Sequence, residues 1–285
     1  MKMLLKQPIF CGIKGELGTD KKYHFTVDFT NNDEVNDAIS FVAPFYHTAI
    51  IDGVKTCWFG YEYNDNLPKP YKSACIKFLE NVKEDAEVSD TGISGHDLYD
   101  MVIQSLDSIG LQDRMIDTIV YPVSSSNLTF NIVNDVLKYL PNSDRVSVYD
   151  VLKADPATLT LDIDRCLRDV ESGVLKHKTF VDKHGHKREI NRENLERLLL
   201  DAQRSDKFSI RHVTKSWYMR EYFSDFFVFR RADRNFENAA NILIIDDNKT
   251  SGSTIKEIVK IIKKYNHTRC TIYVFALTGS NPKKK

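Results

Sequence analysis

The sequence predicts an α/β fold: a parallel sheet with flanking helices, preceded by an N-terminal α+β subdomain. Three observations predict it. Asp117–Val123 (DTIVYPV), Asn241–Ile245 (NILII) and Cys270–Leu277 (CTIYVFAL) are short apolar runs without polar alternation, the mark of strands covered on both faces. The first two are each followed by a turn and a helix-spaced pattern, Leu128–Leu140 and Gly252–Tyr265. The connections are short, and such strand–helix–strand units imply right-handed crossovers into one parallel sheet.

The elements follow in order. Tyr23–Thr30 alternates polar and apolar residues, as a half-buried strand does. Asn32–Val42 opens on an N-cap residue and reads as a short helix. Phe45–Tyr63 reads as a hairpin turning at Asp52-Gly53, a dipeptide suited to a tight primed turn. Pro68 and Pro70 mark a loop, and Tyr71–Val82 and His96–Ile109 carry helical spacing. Residues 1–112 thus form the accessory subdomain, 113–280 the core and 281–285 a basic tail. Within the core, Phe130, Val133, Val136 and Leu137 define the inner face of helix 128–140, and Arg145–Leu152 is a further strand. A polar, charged section runs to about residue 224, and Phe226–Arg230 reads as one more short strand.

Bulk composition narrows the function classes. Hydrophobic residues make up 42% of the 285, with 16 Phe and 13 Tyr, which suits a packed core and excludes disorder. Charge balances at 40 basic and 40 acidic residues, so no global field demands nucleic acid or an anionic membrane. No apolar run approaches the ~20 residues that span a bilayer. Met1–Phe10 lacks the apolar stretch of a secretory signal. Cys11, Cys57, Cys75, Cys166 and Cys270 are scattered, without CxxC pairs, which points to reduced thiols in a cytoplasmic protein.

The chemistry concentrates in Asn241–Ile255, NILIIDDNKTSGSTI. A buried strand delivers Asp246 and Asp247 at its carboxyl end, where open α/β sheets hold their ligands. Adjacent carboxylates there can accept hydrogen bonds from two vicinal ribose hydroxyls. Thr250, Ser251, Gly252, Ser253 and Thr254 then begin a helix, whose unpaired N–H groups and positive dipole end cradle an anion such as phosphate. Ile255, Ile258, Val259 and Ile262 make one apolar face of that helix.

This segment resembles the phosphoribosyl-pyrophosphate motif of the type I phosphoribosyltransferase family: four apolar residues, two acids, two variable residues, two hydroxyl residues, Gly, any residue and a hydroxyl residue. Ile242–Ile245, Asp246–Asp247, Asn248–Lys249, Thr250–Ser251, Gly252, Ser253 and Thr254 match position by position. The resemblance implies a type I phosphoribosyltransferase-like core. It implies that Asp246 and Asp247 hold the ribose hydroxyls, that residues 250–254 hold the 5-phosphate, and that magnesium arrives on the ligand. It also implies a pyrophosphate loop after an earlier strand, where Ser124, Ser125, Ser126 and Asn127 stand. Many members carry a basic residue or a glycine in that loop; this chain has neither there. A mobile loop is implied before the motif, and Lys176–Ile190 is the candidate: Lys178–Lys183 and His186–Ile190 flank His184-Gly185 as a β-ribbon with a tip would, with Lys178, Lys183, Lys187 and Arg188 facing the leaving group. Three histidines, His177, His184 and His186, stand nearby, with no buried carboxylate or Cys partner for a metal evident in the sequence. The implied reaction transfers phosphoribose to a nitrogen acceptor such as a nucleobase.

Other readings stay open. A response-regulator receiver domain also opens with paired acids, but too little chain follows for its later strands. A non-catalytic sensor of phosphoribosyl pyrophosphate or a nucleotide, or a defence-type effector, uses the same motif. Arg211, Lys215, Arg220, Arg230, Arg231 and Arg234 interleave with Trp217, Tyr218, Tyr222 and Phe223, a composition able to bind nucleobases or single-stranded nucleic acid; the order of parts, basic residues before the strand and a short strand–helix–strand ending, is loosely like the competence-associated ComF branch of the family. In this family a variable hood recognises the acceptor; the hairpin 45–63, with Tyr46, His47, Trp58, Tyr61 and Tyr63, reads as part of such a hood, as the surface of a homodimer, or as plain core.

Overall fold

The computed structural model describes residues 11–17, 19, 23–28, 39–41, 45–47, 53–62, 95–123, 127–205, 214–231, 233–249 and 252–279. The expected helix Tyr71–Val82, the Ser124–Ser126 and Thr250–Ser251 segments, Arg211 and the basic tail lie outside these residues.

Strands β1 (Cys11–Leu17), β2 (Tyr23–Asp28) and β3 (Ile39–Phe41) form a small antiparallel sheet in the order β2-β1-β3. β3 corrects the last part of the helix expected over Asn32–Val42: Ile39–Phe41 pairs with Cys11–Ile13, a non-local partner overriding local spacing, while residues 32–38 lie outside the described ones. β4 (Phe45–His47) and β5 (Val54–Glu62) make the expected hairpin, with His47 opposite Cys57 and Gly53 at φ +86° in the turn. Helix α1 (Gly95–Ile109) follows. Next come β6 (Thr118–Pro122), α2 (Leu128–Tyr139) and β7 (Ser147–Lys153). An insertion holds β8 (Thr160–Leu161), α3 (Ile163–Glu171), β9 (Thr179–Val181), β10 (Lys187–Glu189), α4 (Arg192–Gln203) and β11 (Phe223–Ser224). The chain closes with β12 (Phe227–Phe229), α5 (Arg234–Glu237), β13 (Asn241–Lys249), α6 (Ser253–Tyr265) and β14 (Thr271–Gly279).

Seven strands build the main sheet, in the order β12-β7-β6-β13-β14-β5-β4. The five inner strands run parallel, and β12 and β4 are antiparallel edges. The apolar runs are buried on both faces, as read: Ile242, Leu243, Ile244 and Ile245 are all fully covered. One face packs α1 and α2, with Val102, Leu106, Ile132, Val133 and Val136 meeting Leu243, Ile245, Phe275 and Trp58. The other packs α6, with Ile255, Ile258, Val259 and Ile262 meeting Ile242, Ile244 and Val274. Phe130 corrects the inner face expected for α2. It is exposed, and Leu128, Thr129 and Ile132 are buried in its place.

The sheet crosses the boundary expected at residue 112. β5 pairs with β14 over Val54–Glu62, and α1 shares the core of α2. The insertion between β7 and β12 has its own core, with Leu159, Cys166, Phe180, Leu195, Leu198 and Phe223 among its members. No helix among the described residues is long and apolar enough to cross a membrane.

Candidate functional site

The two strand–helix units flanking the sheet centre turn in opposite directions. From β6 the chain passes through α2 to β7, one strand to one side. From β13 it passes through α6 to β14, one strand to the other side. Right-handed crossovers in opposite directions put their helices on opposite faces, as the two core clusters require. The boundary between β6 and β13 is therefore a topological switch point, and the crevice outside its carboxyl ends is where open α/β sheets bind ligands.

The ladder opens a fork at that crevice. β13 pairs with β6 only from Ile242 to Ile244, while its pairing with β14 continues to Lys249. β6 leans the other way and stays with β7 as far as Pro122, beyond which the Val123 N–H donates to the Val151 carbonyl at 2.9 Å. Asp246 and Asp247 sit in the fork, both buried. The Asp247 N–H donates to Asp246 Oδ1 at 2.9 Å, and the Thr278 hydroxyl donates to the Asp247 carbonyl at 3.2 Å. Strand alternation sorts the carboxylates. Asp246 lies beside Ala276 on the α6 face, and Asp247 follows Leu243 and Ile245 on the α2 face. A diol served by both acids would straddle the strand edge instead of lying on one face.

Past the fork, Gly252 has φ +72° and ψ 12° and forms the N-cap of α6. A left-handed residue at this point explains the glycine: any Cβ would crowd the following carbonyl. Its carbonyl accepts the Lys256 N–H at 2.9 Å, the first bond of the helix. Ser253 and Thr254 occupy the first turn, half-buried, and that turn carries no acidic side chain. The first-turn N–H groups precede any intrahelical carbonyl and concentrate positive partial charge there. Asn127 caps α2 with its backbone alone: its carbonyl accepts the Asn131 N–H at 2.9 Å and its side chain is exposed. The starts of α2 and α6 thus follow adjacent parallel strands, both at the carboxyl edge of the sheet.

Sequence reading passed over Tyr121 and Asp150, which share a rung of β6 and β7. Arg230 reaches Asp150 Oδ2 at 3.2 Å. Burial, then the Asp150 charge, raises the Tyr121 hydroxyl above its usual pKa, against the opposing pull of Arg230. Their signal was topological: polar residues near the carboxyl end of an inner strand.

The predicted loop Lys176–Ile190 is a ribbon, β9 against β10, as its symmetric sequence suggested. Asp182 fastens its tip. One carboxylate oxygen accepts the His184 and His186 N–H groups at 3.0 and 2.8 Å, and the other accepts Arg188 Nε at 3.0 Å. Burial pushes this carboxyl up, but the His186 N–H, the Arg188 guanidinium and their charges outweigh it and hold it down to about 2. Phe180 and Ile190 anchor the ribbon in the insertion core. Lys178, Lys183 and Lys187 are exposed, and Arg188 is turned onto Asp182.

The aromatic residues singled out between 217 and 223 divide. Tyr222 and Phe223 are core, with the Tyr222 hydroxyl donating to Asp169 at 2.9 Å, whereas Tyr218 stacks on His177. The insertion meets α6 through Lys256 and Glu221, 3.8 Å apart. An open depression of 410 Å³, lined by residues including Asp117, Arg145, Ser147 and Arg234, lies at the opposite, amino-terminal edge of the sheet and shares no residue with the motif. Among the described residues no three metal-ligating side chains gather to hold an ion.

No family model matches the chain, and no curated protein matches its sequence.

Proposed function

We propose that the chain binds magnesium-bound phosphoribosyl pyrophosphate in the fork between β6 and β13 and transfers its phosphoribosyl group to a nitrogen acceptor such as a nucleobase. The observation that carries this reading is the juxtaposition at the switch point. The motif's acids lie where β13 leaves β6, its left-handed glycine starts α6, and the helix that follows β6, the neighbouring strand, starts at the same edge of the sheet.

In this reading the first turn of α6, with Ser253 and Thr254, takes the 5-phosphate, with Thr250 and Ser251 completing the cradle. Asp246 and Asp247 accept the ribose hydroxyls and orient the sugar. The hydroxyl-bearing residues Ser124–Asn127, between β6 and α2, take the pyrophosphate. The nitrogen attacks C1 on the face opposite the leaving group: the C1–N bond forms as the C1–O bond breaks, and the pyrophosphate departs with that electron pair. Carboxylates near the ribose favour the positive charge that develops on the sugar. Magnesium, brought by the ligand, supplies charge neutralisation on the pyrophosphate.

A second reading is a non-catalytic sensor of the same ligand. The absence of a basic residue or glycine from Ser124-Ser125-Ser126-Asn127 favours it.

The test is a thermal shift with phosphoribosyl pyrophosphate and magnesium, wild type against Asp246→Asn/Asp247→Asn. Ligand at about 100 times its Kd stabilises by about 2.7 kcal/mol. The wild type should melt several degrees higher with ligand, and the double variant should not respond. An unresponsive, well-folded wild type would refute the site. Pyrophosphate release with a panel of bases then separates enzyme from sensor.

A further inference from the structure

The ribbon in the insertion has two faces of different kinds. Lys187 stands opposite Val181 and Arg188 opposite Phe180. On the other side of β9, Thr214 bridges Asp182, and the Lys215 N–H donates to the Val181 carbonyl at 3.0 Å. Alternation then sorts the side chains. Phe180, Asp182 and Thr214 lie on the inner face, all buried. The outer face carries Lys215, Val181 and Lys187 in one row across the bridged segment, β9 and β10.

Lys183 stands at the tip, and Lys215 Nζ comes within 3.5 Å of where a Cβ on Gly185 would sit. Lys183, Lys187 and Lys215 are exposed and join no ion pair among the described residues. At the other end, the exposed His177 ring lies parallel to Tyr218, with centroids 4.1 Å apart and 7° between planes. The Tyr218 hydroxyl, donating to the Thr179 carbonyl, fixes that pair to the ribbon.

Val181 separates Lys187 from Lys215 in this row, and the tip that carries Lys183 is braced by Asp182, with Glu189 an acid on the same face. Cations spaced along a rigid track beside an open stacked ring are what single-stranded nucleic acid requires: ammonium groups follow the phosphates and the ring takes a base. We propose that the outer face of residues 177–189, with Lys215, binds single-stranded nucleic acid without strong sequence preference. Extended chain from Thr179 to Asp182 spans about 10 Å, with His177 before it and Lys183 beyond it, so the surface outreaches a lone pyrophosphate. An anionic bilayer would engage the lysines and leave the stacked pair without a role.

The test is fluorescence anisotropy of a labelled single-stranded oligonucleotide of about a dozen nucleotides, titrated with the full chain over a range of salt. Wild-type log affinity should fall linearly with log salt. Lys183→Gln/Lys187→Gln/Lys215→Gln should weaken binding at least tenfold at low salt. Three lost contacts at about 0.7 each should flatten the slope by about 2. His177→Ala should weaken binding roughly tenfold and leave the slope unchanged. Asp246→Asn/Asp247→Asn should bind as wild type, since this surface does not depend on the switch-point site.

The proposal is overturned by a wild type that does not bind, by a triple variant that binds equally well, or by an Asp246/Asp247 variant that loses the oligonucleotide. Stoichiometric displacement by inorganic pyrophosphate would overturn it in favour of the switch-point ligand. Lysine-dependent capture by phosphatidylserine vesicles that the oligonucleotide does not relieve would overturn it in favour of a membrane.

Discussion

Replacing Gly252 by Ala tests the helix-start geometry by the sign of its effect. At an ordinary helical or extended position, Gly→Ala stabilises by about 0.4–1 kcal/mol, because the unfolded chain loses freedom. Gly252 has φ +72°, where an L side chain costs roughly 1–2 kcal/mol. Unfolding entropy near 2.1 cal/mol/K per residue over 285 residues gives about 0.6 kcal/mol/K. The variant should therefore melt about 2–3 °C below wild type. Gly252→Asn should fall in between, since Asn tolerates the left-handed region better than Ala. Calorimetry or circular dichroism melts of the three proteins decide the matter. An alanine variant as stable as wild type, or more so, would refute the left-handed start of α6 and with it the physical reason for a glycine in the motif.

Two further predictions follow from other parts of the chain. Asp182 has its carboxyl held near 2 against 3.8 for a free one, so its contribution is complete above pH about 4 and disappears as pH falls toward 2; stability measured over that range should drop more steeply in wild type than in Asp182→Asn, and equal slopes would contradict the tip geometry. Burial, then the nearby Asp169 and Asp162, pushes the Cys166 thiol up to about 11, so peptide mapping after thiol labelling at pH 8 should find Cys166 unmodified in the native chain and modified in denaturant; labelling of the native chain would place it outside the core.

Much of the core was legible because its signals are local. Four consecutive apolar residues before Asp246 read as a doubly covered strand, and the spacing of Ile255, Ile258, Val259 and Ile262 read as the buried face of its helix. Non-local pairing left no such trace. Ile39–Phe41 carries a helix-start signal upstream and is a strand because Cys11–Ile13 lies beside it. Phe130 fits the helical period, but the buried face of α2 runs through Thr129, Ile132, Val133 and Val136 and leaves Phe130 exposed, its ring centroid 6.3 Å from that of Tyr121. The ribbon was readable from the mirrored charges around His184-Gly185. The core beneath it, built from Leu159, Phe180, Leu195 and Phe223, was not, because those residues are dispersed through a polar stretch. At the site, the acids and the glycine were named by sequence, while the fork that separates β6 from β13 is a property of the ladder.

The pairing of β5 with β14 carries a kinetic consequence. Val54 and Ile272 are neighbours in the sheet although more than 200 residues separate them along the chain. Until β14 has been made, β5 has an antiparallel partner on one side only, and its central Trp58 lacks Tyr273, the ring it stacks on at 5.4 Å. Contacts this distant in sequence slow folding and leave an apolar strand edge open to other chains meanwhile. A nascent or truncated chain ending before Thr271 would thus expose β5 and β13 together, and β14 acts as the clasp that joins them.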